Sequence, residues 1–326
     1  MIRNSIKIIF FGTPSFSVTI LQALIDANMP PVAVVTAPDK PAGRGHHLQS
    51  PPVKKLADAR HIPVLQPEKL KDELFLETLR NYAANVFVIA AYGKILPQIL
   101  LDIPPKGVIN IHPSLLPRHR GPSPIQGAIL AGDSATGVTL MLTDKEMDHG
   151  PILAQQELEF SISSFQFQKL HDELANLGGK MIVDTLPKWI MGKITPQEQD
   201  HEKATFTKLL TKENGHIDWK KPAEEIDRMV RALNPWPGTW NYMKTVGSPT
   251  SADIAEVGLP TVRRVKILAG HQTDEPSTAL PGTLIKTKSG QLAACTVKNL
   301  YVIEKLQMEG KKPTSDFSLP TPSMMF

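Results

Sequence analysis

The sequence predicts an α/β chain, a mostly parallel sheet wrapped by helices, followed by a small β-barrel. Three observations carry that reading. Through the first 150 residues, short and almost wholly apolar runs alternate with segments of helical spacing. Near residue 191 the chain turns polar around Gly192, Pro196 and the run QEQDHEK. Beyond it lie short β-rich segments divided by Gly, Pro and Asp clusters. A length of 326 residues favours two domains over one, and we place them at 1–190 and 210–326, with 191–209 as the linker.

The apolar runs are Ile6 to Phe11, Val32 to Thr36, Val86 to Ala90 and Val108 to Ile111, which suit strands buried on both sheet faces. Between them, Phe16 to Ala27 sets Val18, Leu21, Leu24 and Ile25 at helical spacing, and Pro52 to Arg60 and Asp72 to Tyr82 read similarly. Strand, helix and strand in this order give βαβ units and hence a parallel sheet. Thr136 to Leu142 and Ile152 to Phe160 are two further strands. A long helix from about Ser164 to Trp189 follows, because Leu170, Leu174, Leu177 and Met181 form one stripe. In the last part, Val262 to Leu268, Gly282 to Lys286, Gln291 to Thr296 and Leu300 to Gln307 are short strands, and a barrel of the oligonucleotide-binding type is the architecture they suit best.

Hydrophobic residues make up 41% of the chain and charged ones 21%, as in ordinary globular proteins. The single Cys295 forms no internal disulfide and points to a reducing compartment. The opening MIRNSIKIIFFG has too short an apolar run for a signal peptide, and no stretch of about 18 apolar residues occurs, so a cytoplasmic protein is expected. The net charge of +4 is unevenly spread: residues 1–200 hold 19 basic against 19 acidic side chains, and 201–326 hold 17 against 13. That excess fits either a polyanionic partner or plain solubility.

Gly12-Thr-Pro-Ser follows the first strand without a Gly-Lys-Ser/Thr ending or a G-x-G-x-x-G, which argues against a nucleotide loop. The densest polar cluster is NIHPSLLPRHRGPSPIQ, with Asn110 and His112 two apart at a strand end and therefore on one side. An amide donor beside an imidazole suits acyl transfer, in which an oxyanion develops and a proton moves near neutrality. The same pair also serves as turn and core polar groups in many proteins. Asp148, in the loop EMDHG, either stands in solvent or orients His112. Ser114 lacks a G-x-S-x-G elbow, and His112, His119 and His149 lack the close spacing of zinc ligands, so neither a serine hydrolase nor a metal site is expected.

These segments, with FFGTPSFS, DKPAGRG, AAYGKILP, MDHG, ALNPWPGTW and the late LQMEGKKP, resemble the methionyl-tRNA formyltransferases in order and over essentially the whole chain. The resemblance implies a Rossmann-like formyltransferase fold with an OB-like C-terminal domain engaging tRNA, acting as a monomer. It implies formyl transfer from 10-formyltetrahydrofolate to the α-amine of methionyl initiator tRNA, without a metal. Asn110, His112 and Asp148 would then be the transfer centre. Ser114, Leu115, Leu116 and Pro117 would lie along the folate. Tyr92, Gly93, Ile95 and Leu96 would wall the pterin, with Tyr92 read equally well as a core aromatic. Lys40 and Arg44 would meet the acceptor end of the tRNA. The chain departs from the family pattern at Pro113, His119, Pro122, Ser123, Met147 and His149, none of which removes a reacting group. Two rivals are a formyltransferase for an amino sugar nucleotide and a non-catalytic tRNA-binding protein.

Overall fold

The computed structural model describes residues 5–42, 47–158, 165–245, 261–315 and 324–326. Two compact units result: Met1–Ala128, Ser134–Ile162 and Gln168–Leu209 form one, and Ile129–Asp133, Ser163–Phe167 and Leu210–Phe326 the other.

The first unit begins with β1 (Ile8–Gly12), all five residues buried, and α1 (Ser15–Asp26), whose Phe16, Ile20, Leu21 and Leu24 face inward. β2 (Ala33–Val35) precedes a hairpin of β3 (Lys40–Ala42) and β4 (His47–Gln49). α2 (Pro52–Ala59), with Pro at its first turn where no donor is needed, and the short β5 (Val64–Leu65) come next. α3 (Glu73–Asn81) starts on Asp72, whose carboxylate accepts from the Phe75 amide at 3.1 Å, and ends with Arg80 in its last turn, matching the helix dipole. β6 (Val86–Ala90), the single turn α4 (Gln98–Leu101), β7 (Val108–His112), α5 (Pro124–Ala131), β8 (Gly137–Leu142) and β9 (Ile152–Glu157) follow. α6 (Phe167–Ile190) buries Leu170, Leu174 and Met181 of the stripe expected for it, together with Ile182, while Leu177 is half-buried and the expected start at Ser164 lies outside the described residues.

The seven strands are ordered β5-β2-β1-β6-β7-β8-β9. The pairs from β5 to β7 are parallel, and β8 and β9 are antiparallel additions at one edge. The chain builds outward from β1 to β2 and β5, then crosses to β6 on the other side. That switch leaves a crevice beyond the carboxyl ends of β1 and β6, where open α/β sheets bind ligands. At this point Thr13 Oγ1 donates to the Tyr92 carbonyl at 3.2 Å.

Segment 191–209 is grouped with this first unit. Ile152 pairs with Gln197 and Arg120 with Phe206 as β-bridges, so the stretch runs along the sheet unit. Of its polar side chains, which suggested a linker, Gln197, Gln199 and Thr207 donate to main-chain carbonyls, while Glu198, Asp200, His201, Glu202 and Lys203 are exposed.

In the second unit, α7 (Ala223–Leu233) buries Ala223, Ile226, Val230 and Leu233 on one stripe, a helix the sequence reading did not single out. An antiparallel sheet of β10 (Thr239–Thr245), β11 (Thr261–Pro276), β12 (Leu284–Lys286), β13 (Leu292–Cys295), β14 (Asn299–Met308) and β15 (Met324–Met325) has the order β12-β13-β14-β11-β10-β15. The expected barrel is present as a curled sheet and not as a closed ladder among the described residues. β11 bends through register shifts between Ile267 and Gly270 and again between Gln272 and Pro276. One bond, from the Phe326 amide to the Gly282 carbonyl at 2.9 Å, links the two edges. Trp219, Tyr301, Ile226 and Ile267 share its core. Among the described residues no helix is long and apolar enough to cross a membrane.

Candidate active site

β7 is buried between β6 and β8, so its carboxyl end is a rigid platform. The strand's period of two brings Asn110 and His112 to one side, opposite Met141 and Thr139 of β8. Beyond β8 the chain loops back through residues 143–150. Gly150 closes that loop so tightly that a Cβ there would lie 2.0 Å from the Leu142 carbonyl oxygen, which excludes any other residue.

This loop delivers Asp148 in the left-handed conformation, φ 51°. Its Oδ1 accepts from Asn110 Nδ2 at 3.1 Å and lies 3.6 Å from His112 Nδ1, while Oδ2 accepts from the Gly121 amide at 2.8 Å. The structure therefore brings together the three residues proposed from sequence. A further bond fixes the other end of the imidazole: His112 Nε2 lies 3.0 Å from the His119 carbonyl. A carbonyl only accepts, so Nε2 carries the proton and Nδ1 faces the carboxylate. The His112 side chain is buried and the Asp148 side chain is 13% exposed, so the carboxylate works in a medium where charge interactions are strong.

The turn 118–121 is held by the strip 205–207. His119, with φ 60°, donates its amide to Thr205 Oγ1 at 2.8 Å, and the Thr207 amide donates to the Arg120 carbonyl at 2.7 Å. Gly121 has φ 107°, and a Cβ there would sit 2.6 Å from the Thr207 carbonyl oxygen, so glycine is required for its amide to reach Asp148. The His119 ring is buried beside Gly127, and the residue meets His112 through its main-chain carbonyl.

The other residues proposed from sequence are placed as follows. Ser114 is fully buried, its hydroxyl donating to the Arg118 carbonyl at 2.6 Å and its carbonyl accepting from Thr139 Oγ1. Leu116 is buried, Leu115 and Pro117 are half-buried, and Gln155 Nε2 donates to the Leu116 carbonyl at 2.8 Å. The Ser114 side chain is thus committed within the fold. Tyr92 packs edge-on against Phe11 in the core, and burial pushes its phenol up to about 12. Leu96 is in the same core, whereas Gly93 and Ile95 are exposed in the loop above it. Among the described residues, the amides of Gly93, Lys94 and Ile95 make no hydrogen bond, leaving donors at the switch-point crevice. Lys40 is exposed on the β3–β4 hairpin, and Arg44 lies outside the described residues. At the hairpin's base, the Asp39 carboxylate is held by Gln66, Lys54 and Ser50, and the Gln66 bond, then Lys54, lowers its pKa. Among the described residues, no group of three His, Cys, Asp or Glu is placed to hold a metal.

Sequence reasoning missed Gln199, Thr205 and Thr207, and the main-chain donor of Gly121. Their side chains are common polar types in an irregular stretch, and no periodicity marks them.

The sheet order and this cluster at the end of β7 define a formyl transferase of the α/β type, and the chain belongs to that family: residues 6–186 match the formyl transferase model and 209–317 the formyl transferase C-terminal domain. It is 44% identical over 310 residues to a methionyl-tRNA formyltransferase of Chloroflexus aurantiacus and 50% identical over 310 residues to that of Chloroflexus aggregans, in each case covering 95% of this chain and 94% of the relative. Among solved structures it is similar to an N-formyltransferase from Helicobacter canadensis in complex with folinic acid and dTDP-3-aminofucose, with a TM-score of 0.61 at 18% identity over 91% of this chain and 98% of the other.

Proposed function

We infer that the chain transfers a formyl group from 10-formyltetrahydrofolate to the α-amine of methionyl initiator tRNA, in the cytoplasm and as a monomer. The observation that carries the chemistry is the single carboxylate of Asp148 shared by Asn110, His112 and the Gly121 amide at the carboxyl end of β7. The acceptor is argued from full-length relatives with this activity in their names and from the C-terminal domain, which carries three of the four excess positive charges.

The folate supplies the activated formyl group. The unpaired amides of Gly93, Lys94 and Ile95 suit the polar edge of a pterin, and the buried Leu96 and Leu116 back an apolar ring. When the amine attacks the formyl carbon, Asn110 donates to the oxygen that gains charge, and His112 does so once its Nδ1 has taken a proton. Asp148 holds Asn110, and His112 Nδ1, beside the same carboxylate, is placed to take up the proton released by the amine and to pass it to the folate N10 as the bond from that nitrogen to the formyl carbon breaks and tetrahydrofolate leaves.

One assay decides the acceptor. Formyl-folate is offered with charged initiator tRNA and, separately, with an amino sugar nucleotide, and the labelled formyl group is followed. Formylation of the tRNA alone is expected. Formylation of the sugar alone overturns the acceptor, and transfer to neither overturns the enzymatic reading.

A further inference from the structure

We infer that Gln199 and Arg120 are positioning residues for the transfer, a two-residue clamp that sets where the Asp148 carboxylate lies relative to Asn110 and His112. This rests on the reading that Asp148 belongs to the reacting centre.

Asp148 sits in a strained left-handed conformation at the tip of a loop, which persists only where its surroundings determine it. Its carboxylate is held by Asn110 and Gly121, but its main chain is held by Gln199. Gln199 Nε2 donates to the carbonyls of Asp148 at 3.0 Å and Gly150 at 2.8 Å, so both amide hydrogens reach the loop. Its Oε1 accepts from Arg120 Nε at 3.2 Å and Nη2 at 2.7 Å. Two donors outward and two acceptances inward saturate the amide. Both side chains are about 5% exposed or less, so each bond forms away from competing water.

Arg120 continues the network. Its Nη2 lies 2.8 Å from His201 Nδ1, and because a guanidinium only donates, His201 accepts there. The His201 ring stacks on His149 at 4.0 Å, and His149 Nδ1 lies 2.7 Å from Asp144 Oδ2. The clamp therefore joins the turn 118–121, the loop 144–150 and the strip 199–207. Arg120 is also the neighbour of His119, whose carbonyl holds His112 Nε2. Both ends of the imidazole are referenced to one network, Nε2 through His119 and Nδ1 through Asp148.

A guanidinium buried against the neutral acceptors of Gln199 and His201 is costly where stability is the only gain, since an apolar contact would serve as well. A function for that cost is to hold reacting groups in place, where a displacement near 1 Å is worth about 100-fold in rate.

The test compares Gln199→Ala, Gln199→Glu and Asp148→Asn, alone and combined, in the full chain. Single-turnover rate, KM for both substrates, the pH profile and the melting temperature are read. Gln199→Glu keeps the acceptors for Arg120 but removes the donors to the loop. It is expected to stay folded with a melting temperature lower by a few degrees, because the Asp148 and Gly150 carbonyls lose their donor, to lose about 10- to 100-fold in rate with both KM values within about threefold, and to show a displaced acidic limb. Gln199→Ala should lose at least as much, and neither change should cost more than about twofold further in the Asp148→Asn background. A parental rate and profile in Gln199→Glu, or fully multiplicative losses in the double variants, overturns the clamp. Should the alanine variant not fold, Gln199→Glu decides alone. Near-parental activity of Asp148→Asn overturns instead the assignment of the centre, and does so whatever the Gln199 variants show.

Discussion

The carboxyl end of β7 and the β3–β4 hairpin belong to one unit and are built on opposite principles. Around His112, polar groups are tied to named partners on three separate segments; His112 is buried, and Asn110 and Asp148 are half-buried. The hairpin holds exposed residues throughout β4, and its ordering side-chain bonds gather at its foot, on Asp39. On the proposed function, the difference follows from what each would meet. A reacting carbon must be met by donors fixed to a fraction of an ångström, whereas a macromolecular acceptor is met by reach and charge.

The largest expected effect tests the first principle. Asn110→Ala, His112→Ala and Asp148→Ala should each lower turnover about a hundredfold or more while the fold survives. Single-turnover transfer by a folded His112→Ala at near-parental rate would break the contrast at its strongest point.

Next in size comes the hairpin. Lys40→Ala and Arg44→Ala should weaken the step with charged tRNA by about tenfold, the order expected for removing a charged partner of phosphate, and leave folate affinity as it is. Equal weakening of folate binding, measured by fluorescence titration, would give the hairpin the wrong job.

A smaller effect is expected in the second unit. Lys266, opposite Trp240 in β10, and Arg263 are exposed. If they grip the tRNA backbone, Arg263→Ala and Lys266→Ala should lower affinity a few-fold. Each should also make the log–log salt dependence shallower by about one unit for every phosphate the variant leaves unneutralised. An unchanged slope assigns the basic excess to solubility.

The smallest effect is on stability. The Tyr92 hydroxyl is buried and has no hydrogen-bond partner among the described residues, so Tyr92→Phe should stabilise the fold by about 1 kcal/mol in denaturant titration. Burial pushes the Tyr92 pKa up to about 12, above the ordinary value near 10 of the unfolded chain. Ionisation of the phenol is therefore penalised in the folded chain, so stability is unaffected by this group below about pH 10 and falls as the pH rises towards about 12. The phenylalanine variant should lose less stability across that window, and an identical alkaline fall in both proteins would refute the placement of the ring in the core.

Much of this molecule was determined by its sequence alone. The strands Val86–Ala90 and Val108–His112 are runs of branched and aromatic residues that only a doubly covered sheet can bury, and helix α6 follows from its apolar stripe. Asn110 and His112 were legible as a pair because a strand's period of two is local. Tertiary structure alone decided the rest, because the decisive bonds join residues far apart in the chain. Asp148 reaches Asn110 across 38 positions and Gln199 reaches Arg120 across 79. Nothing local in QEQDHEK separates Gln199 from a solvated linker residue. Only the fold withdraws it from water and leaves the carbonyls of a strained loop as its partners.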